Sequence, residues 1–207
     1  MIMSSRFAFL VVGLFIVTCA ATAAWAGDPT EQVNQTAREI SRILHDQELR
    51  QPGMTTERRR QLDDVISARL SYEDMSRHVL GAQWEQRSIA EQQEFIELFR
   101  SLLCMLYANK IEDYAGERME FLGERITGEM AEVRARIAAR KSQVMLDFRL
   151  VNRSGEWRVY DILTDGISLV NNYRQQFQRV LRQTSYADLV GKLRDATERT
   201  TAALARY

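Results

Sequence analysis

Gln143-Val144-Met145-Leu146-Asp147-Phe148-Arg149-Leu150-Val151-Asn152-Arg153-Ser154-Gly155-Glu156-Trp157-Arg158-Val159-Tyr160-Asp161-Ile162-Leu163 is the stretch that decides the fold. In its first half Val144, Leu146, Phe148 and Leu150 fall on one side of an extended chain while Asp147 and Arg149 fall on the other, the alternation of a strand buried on one face. Arg153-Ser154-Gly155 is short and turn-forming, so the second half returns antiparallel as a hairpin partner. Two further strands are expected upstream, at 118–127 and 129–140, separated by Gly128. The second of them sets Val133, Ala135 and Ile137 against Glu132, Arg134 and Arg136. Four strands joined by short turns make an antiparallel meander.

Outside this sheet the apolar period is helical. Val33, Ala37, Ile40, Ile43 and Leu44 predict an amphipathic helix from 30 to about 49, ended by Pro52-Gly53, and Leu62, Val65, Ile66 and Leu70 mark a second from about 56. Ser71-x-x-Asp74 and Ser88-x-x-Glu91 have the form of capping boxes, the first opening a short helix closed by Gly81 and the second opening the longest one, which runs to about Tyr114 with Gly116 as its stop. Phe95, Leu98, Phe99, Leu102, Leu103, Met105, Leu106 and Tyr107 cover most of the circumference of that long helix, so it must be buried on more than one side. After the sheet, Asp165-Gly166 leads into a helix carrying Ile167, Val170, Tyr173, Phe177, Val180 and Leu181. A last helix from about Ser185 fades into a polar, frayed tail. The fold class is α+β: helices, one antiparallel sheet, then helices folding back over it.

The first residues read as a secretory signal. Arg6 supplies a positive start, residues 7–17 are almost unbroken apolar, and Ala24-Trp25-Ala26 has the small-x-small form that precedes cleavage. Residues 1–26 are therefore expected to be removed, leaving 27–207 as one domain outside the cytoplasm. The apolar run is shorter than the roughly 18 residues an anchor requires, and Thr18 before Cys19 fits a lipidation site poorly. Cys104 is then the remaining thiol, expected to be a small buried hydrophobe.

Charge and motifs exclude several classes. Lysines plus arginines and aspartates plus glutamates number 28 each, a balance that argues against nucleic acid as a partner. The Arg58-Arg59-Arg60 run reads as a solvated helix face. His45 and His78 have no second ligand at metal-binding spacing, and neither a Gly-x-Ser-x-Gly elbow nor a phosphate loop occurs. No metal, no cofactor and no catalytic set is expected. Asp161 and Asp165 at the strand-to-helix corner read as caps. What the chain has in excess is apolar surface, which a dry core and a ligand cavity would use alike.

The segment Trp157-Arg158-Val159-Tyr160-Asp161 through Gly166-Ile167-Ser168-Leu169-Val170 to Asn172-Tyr173-Arg174-Gln175-Gln176-Phe177 resembles the signature of the MlaC family, also called the toluene-tolerance auxiliary component of an ABC transporter. Tyr72, Met75-Ser76-Arg77, Val79-Leu80-Gly81, Trp84, Phe95, Phe99, Leu102-Leu103, Tyr107 and Tyr114-x-Gly116 extend the resemblance over most of the chain. It implies an NTF2-like sheet under several helices with a lipid cavity between them. It also implies a monomeric periplasmic shuttle whose cargo is phospholipid, exchanged between an inner-membrane ABC transporter complex with an MlaD-like subunit and an outer-membrane MlaA-like lipoprotein complex, so that outer-membrane lipid asymmetry is kept. The residues then expected to line the cavity are Phe99, Leu103 and Tyr107 on the long helix and Phe121, Val133, Val144, Leu146 and Phe148 on the sheet, with Ile167, Val170 and Tyr173 closing it. Asp161 and Arg174 are assigned to structure, as a corner-fixing pair or caps, with a phosphate as the alternative partner of Arg174. A hopanoid or other apolar lipid is the alternative cargo, and an NTF2-like enzyme with a buried acid in its pocket the alternative function.

Overall fold

A computed structural model describes residues 28–113, 118–138 and 143–204, with side chains as far as 198. The expected leader, Tyr114, the Gly116 stop and the end of the second strand at Arg140 lie outside the described residues. The order is α1 (Pro29–His45), α2 (Thr55–Arg69), α3 (Tyr72–Leu80), α4 (Ile89–Asp113), β1 (Arg118–Thr127), β2 (Met130–Ala138), β3 (Gln143–Arg153), β4 (Glu156–Thr164), β5 (Ile167–Ser168), α5 (Leu169–Gln183) and α6 (Tyr186–Leu204). Helix α1 stops earlier than its apolar period suggested: Asp46 leaves the helix and its carboxylate accepts from the amides of Glu48 and Leu49 instead. Both capping boxes form, Ser71 accepting from the Asp74 amide and Ser88 from the Glu91 amide.

The strands pair antiparallel in the order β1-β2-β3-β4-β5. The hairpin quoted at the outset closes through Ser154 and Gly155, both at positive φ (54° and 93°), the conformation that keeps a two-residue turn in step with strand twist. Beyond the four expected strands there is a fifth of two residues, because Asp165 and Gly166 form a tight turn at positive φ rather than entering the helix directly. Ile167 belongs to this strand and not to α5.

Strict alternation through Trp157, Val159 and Asp161 would aim the aspartate into the apolar face. A bulge in β4 prevents this: Leu150 pairs with Val159 but Arg149 pairs with Asp161, and the extra residue, Tyr160, reverses which side the following residues occupy. Asp161 therefore sits beside Arg149 (3.2 Å) and accepts from the Ser168 hydroxyl (2.7 Å) and the Val170 amide (3.1 Å), tying the first turn of α5 to the sheet. Of the two roles expected for Asp161, the structure shows the cap. Its ion-pair partner is Arg149; Arg174 instead lays its guanidinium against Gly81, where an added Cβ would come within 3.2 Å of it.

The apolar side chains fall into separate clusters. Ala131, Val133, Ala135, Phe148, Leu150, Trp157 and Val159 form the buried part of one sheet face, and Val33 of α1 packs on them. Helix α1 is fixed there by Thr30, which donates from its amide and hydroxyl to Glu124 (3.2 and 2.6 Å), and by Arg69, which reaches Gln32, Thr36 and the Trp157 carbonyl. A second cluster joins α3, α4, α5 and α6 around Phe95, Phe99, Tyr173 and Phe177, whose rings meet at 5.4 to 6.0 Å. A third links α1 to α2 through Ile43, Leu44, Leu49 and Leu62. The long helix is buried on more than one side, as its apolar circumference requires, because it is the centre of a helical layer; the helix over the sheet's buried half is α1.

Replacing Asp161 with Ala removes a cap and two further hydrogen bonds at a residue only 2% exposed. Urea unfolding should show a loss of about 2–3 kcal/mol, the sum expected for charge-assisted bonds to a buried acceptor; an unchanged midpoint would show that α5 is anchored by its apolar face alone.

Candidate functional site

The residues expected to line one cavity are divided between the two larger clusters. Phe99, Leu103, Val170 and Tyr173 are buried in the helical layer and Tyr107 packs half-buried against it. Val133 and Phe148 are buried in the sheet cluster, with Phe121 and Leu146 half-buried at its margin. Val144 is half-buried one position further toward the sheet end. Ile167 departs from the rest: it is 70% exposed, because β5 holds it on the outer rim beyond the cap of α5.

Burial along the apolar sheet face changes from one end to the other. Ala131, Val133, Phe148, Leu150, Trp157 and Val159 are buried under α1, whereas Met119, Phe121, Ile137, Val144, Leu146 and Ile162 are only half-buried. The pairing Met119 to Ile137, Ile137 to Val144 and Phe148 to Ile162 places this incompletely covered group at one end of the sheet. The chain enters β1 at that end from the last turns of α4 and leaves β4 at that end into β5 and the first turn of α5. The half-buried margin of the helical layer, Met105 and Tyr107 on α4, with exposed Leu106 beside them, lies on that connecting part of α4. Leu70 packs against both clusters, and its backbone bridges to Val159, so the two layers touch there. Met119, Ile137, Ile162 and Met105, which share this partly covered region, are not among the residues expected from the sequence. The alternation that marks Val133 and Val144 marks Ile137 equally, whereas Ile162 reaches this face only through the bulge at Tyr160, and how far α1 reaches along the sheet leaves no trace in a strand's own sequence.

Polar groups near this end are engaged. Asp165 accepts from the Met145 amide (3.0 Å) and Asp161 is the cap already described. Burial, with Tyr107 beside it, pushes the Tyr173 hydroxyl pKa up to about 12, keeping it neutral. His45 and His78 each meet a backbone carbonyl four residues back, Ser41 and Asp74 respectively, at 2.7 Å. Among the described residues no group of three or more His, Cys, Asp or Glu is placed to hold a metal ion, and no helix is long and apolar enough to cross a membrane.

A second polar constellation joins α2 to α4. Arg58 and Arg59 converge on Glu112, Arg59 also reaches Asn109, and Arg58 reaches the Leu49 carbonyl; only Arg60 has the solvated setting expected for the whole run, paired with Glu57 and Asp64. Burial raises the Glu112 pKa, but the two guanidinium groups outweigh it and hold the carboxylate below its usual range. Further along the seam Asp63 accepts from Cys104 (2.9 Å), Arg100 (2.5 Å) and Ser67 (3.1 Å). Burial and the Asp63 charge push the Cys104 thiol up to about 11.

The sequence matches the family model described as MlaC protein over residues 34–195. The chain belongs to the MlaC family. Two curated relatives align over part of their length. One is the intermembrane phospholipid transport system binding protein MlaC of Haemophilus influenzae, 24% identical over 124 residues and covering 57% of this chain and 58% of that protein. The other is the toluene tolerance protein ttg2D of Pseudomonas putida, 22% identical over 125 residues, covering 59% and 58%. The matched region thus spans less than two thirds of either relative. Among solved structures, the phospholipid-binding protein from Ralstonia solanacearum in complex with a phospholipid superposes with a TM-score of 0.74 at 25% identity, covering 83% of this chain and 98% of that one. The MlaC-family fold seen here is therefore that of the Ralstonia protein.

The state of Cys104 yields a direct check. Because the thiolate is the reactive form, a pKa near 11 leaves about one thiol in a thousand ionised at pH 8. Modification by a disulfide reagent at that pH should be at least about 100-fold slower in the native protein than in urea, and Asp63→Asn should accelerate it. Equal native and unfolded rates would show that the seam is open.

Proposed function

We propose that this MlaC-family chain is a carrier that holds the acyl chains of a phospholipid between the uncovered end of its sheet and the adjoining faces of α4 and α5. The observation that carries the proposal is the graded burial of the sheet's apolar face, complete under α1 and incomplete where α4 and α5 join the sheet. Phe121, Val144, Leu146 and Phe148 form the floor. Leu103 and Tyr107 form one wall, Val170 and Tyr173 the other, and Met119, Ile137, Ile162 and Met105 extend the apolar rim. Phe99 and Val133 support these surfaces from behind, each being fully buried.

Such a site binds by area. Each methylene removed from water contributes about 0.8 kcal/mol, so two acyl chains hold a lipid firmly without a strong headgroup contact, and headgroup selectivity should be weak. The carboxylates nearest the site serve as backbone acceptors, which fits a binding protein better than a catalyst. The superposition on a phospholipid-bound protein supports the same cargo.

The apolar leader with its Ala24-Trp25-Ala26 end supports export to the periplasm, and from it a shuttle role follows. The chain would take lipid from one membrane and deliver it to another by docking on an inner-membrane ABC transporter complex, through an MlaD-like subunit, and on an outer-membrane MlaA-like lipoprotein complex. Any ATP hydrolysis would belong to the transporter.

Mass spectrometry of lipid released from the purified mature chain should recover phospholipid near one molecule per protein. Tyr107→Asp and Val144→Asp, each placing a charge against acyl chains, should lose most of it while circular dichroism and the unfolding midpoint stay close to wild type. Recovery of a polycyclic lipid in place of phospholipid, or occupancy unaffected by both substitutions, would overturn the proposal.

A further inference from the structure

Among the described residues most arginines are neutralised locally: Arg58, Arg59, Arg100, Arg134, Arg136 and Arg153 each reach a carboxylate. Helix α5 breaks this pattern. Its sequence contains Arg174, Arg179 and Arg182 and no acidic residue. All three are exposed and none of them forms an ion pair with a described residue. Spaced at 174, 178 and 182, with 171, 175 and 179 beside them, these positions share one stripe of the helix. The stripe bounds a shallow concavity of about 330 Å³, with Asn171, Gln175 and Gln178 between the arginines. A second concavity of about 580 Å³ adjoins it through Asn171, Arg174 and Gln175; its further lining includes His78, Tyr160, Leu163, Ile167 and the Arg149–Asp161 ion pair.

We infer that this face of α5 is a docking surface for an acidic protein partner. Three uncompensated guanidinium groups on one stripe make a positive field that steers and selects a negative surface. Arginine and amide side chains, with their planar donors, suit carboxylates and backbone carbonyls. A membrane surface fits less well. The apolar side of α5, with Val170, Tyr173 and Phe177, is already buried in the helical layer and has nothing left to insert between lipids. Among the described residues Ile167 is the one strongly exposed large apolar side chain lining these concavities, and a flat headgroup layer cannot fill two concavities. The inference rests on the lipid-carrier reading in one respect: α5 also supplies Val170 and Tyr173 to the proposed acyl site, so a partner seated on the arginines would press on the helix that closes it.

The test uses the purified mature chain, the soluble part of the MlaD-like subunit from the same organism, and vesicles of phosphatidylcholine with phosphatidylglycerol. Wild type should bind the subunit with an affinity that falls as salt is raised. Arg174→Glu combined with Arg179→Glu and Arg182→Glu should weaken it at least about tenfold. The pair Arg179→Glu with Arg182→Glu, which leaves the contact with Gly81 intact, should retain most of that effect. Co-purified phospholipid should be unchanged in both variants. Arg134→Glu, on the sheet, should bind as wild type does. Unaltered affinity in both α5 variants, a wild type that carries phospholipid but does not bind the subunit, or a loss confined to vesicle binding would overturn the inference. A wild type that binds the subunit through these arginines but carries no phospholipid would instead overturn the lipid reading and leave the docking surface standing.

Discussion

A twisted antiparallel sheet with one apolar face must cover that face, and in this chain the covering is incomplete. Helix α1 supplies Val33 and a pair of polar anchors, Thr30 to Glu124 and Gln32 to Arg69, which hold it over one end. The other end is left to residues that are only partly buried. Each partly exposed Leu or Phe there forgoes up to about a third of the roughly 1.5–3 kcal/mol that full burial would contribute. A fold that tolerates this along one continuous margin retains surface that a ligand can bury.

The same division explains why the helical layer is so aromatic. Phe95, Phe99, Tyr173 and Phe177 lock α4 to α5 through ring contacts, and α5 is held to the sheet by Asp161 at its first turn. Ring contacts along α4 and the Asp161 cap at the start of α5 together tie the helical layer to the sheet. The α2–α4 seam is built differently, from Arg58, Arg59 and Glu112 and from Asp63, Arg100 and Cys104. Polar contacts of this kind fix orientation while contributing little net stability.

Much of the fold was legible in the sequence because the relevant forces are local. Alternation in 143–163 and the Ser154-Gly155 turn specify the hairpin, and Ser71 and Ser88 with their partners specify two helix starts. The signature around Trp157 and Asn172 identifies the family. What was not legible is non-local. Nothing near Tyr160 announces a bulge, yet that bulge decides whether Asp161 meets a helix or a greasy sheet. The apolar circumference of α4 correctly demanded several neighbours but could not say that they are helices. The proposed lining residues came from the family resemblance, and Ile167 among them lies exposed because Asp165 and Gly166 turn the chain once more before α5 begins. Arg58 and Arg59 looked like a solvated run because their partner, Glu112, is over fifty residues away.

The central claim is where the acyl chains lie. A crystal structure of the mature chain purified with its own lipid would decide it: continuous density between Tyr107 and Tyr173 on one side and Phe121, Val144 and Leu146 on the other is the predicted result. Density for acyl chains beneath α1, against Val33 and Val133, or a gap filled by the protein's own side chains while lipid binds elsewhere, would contradict the account.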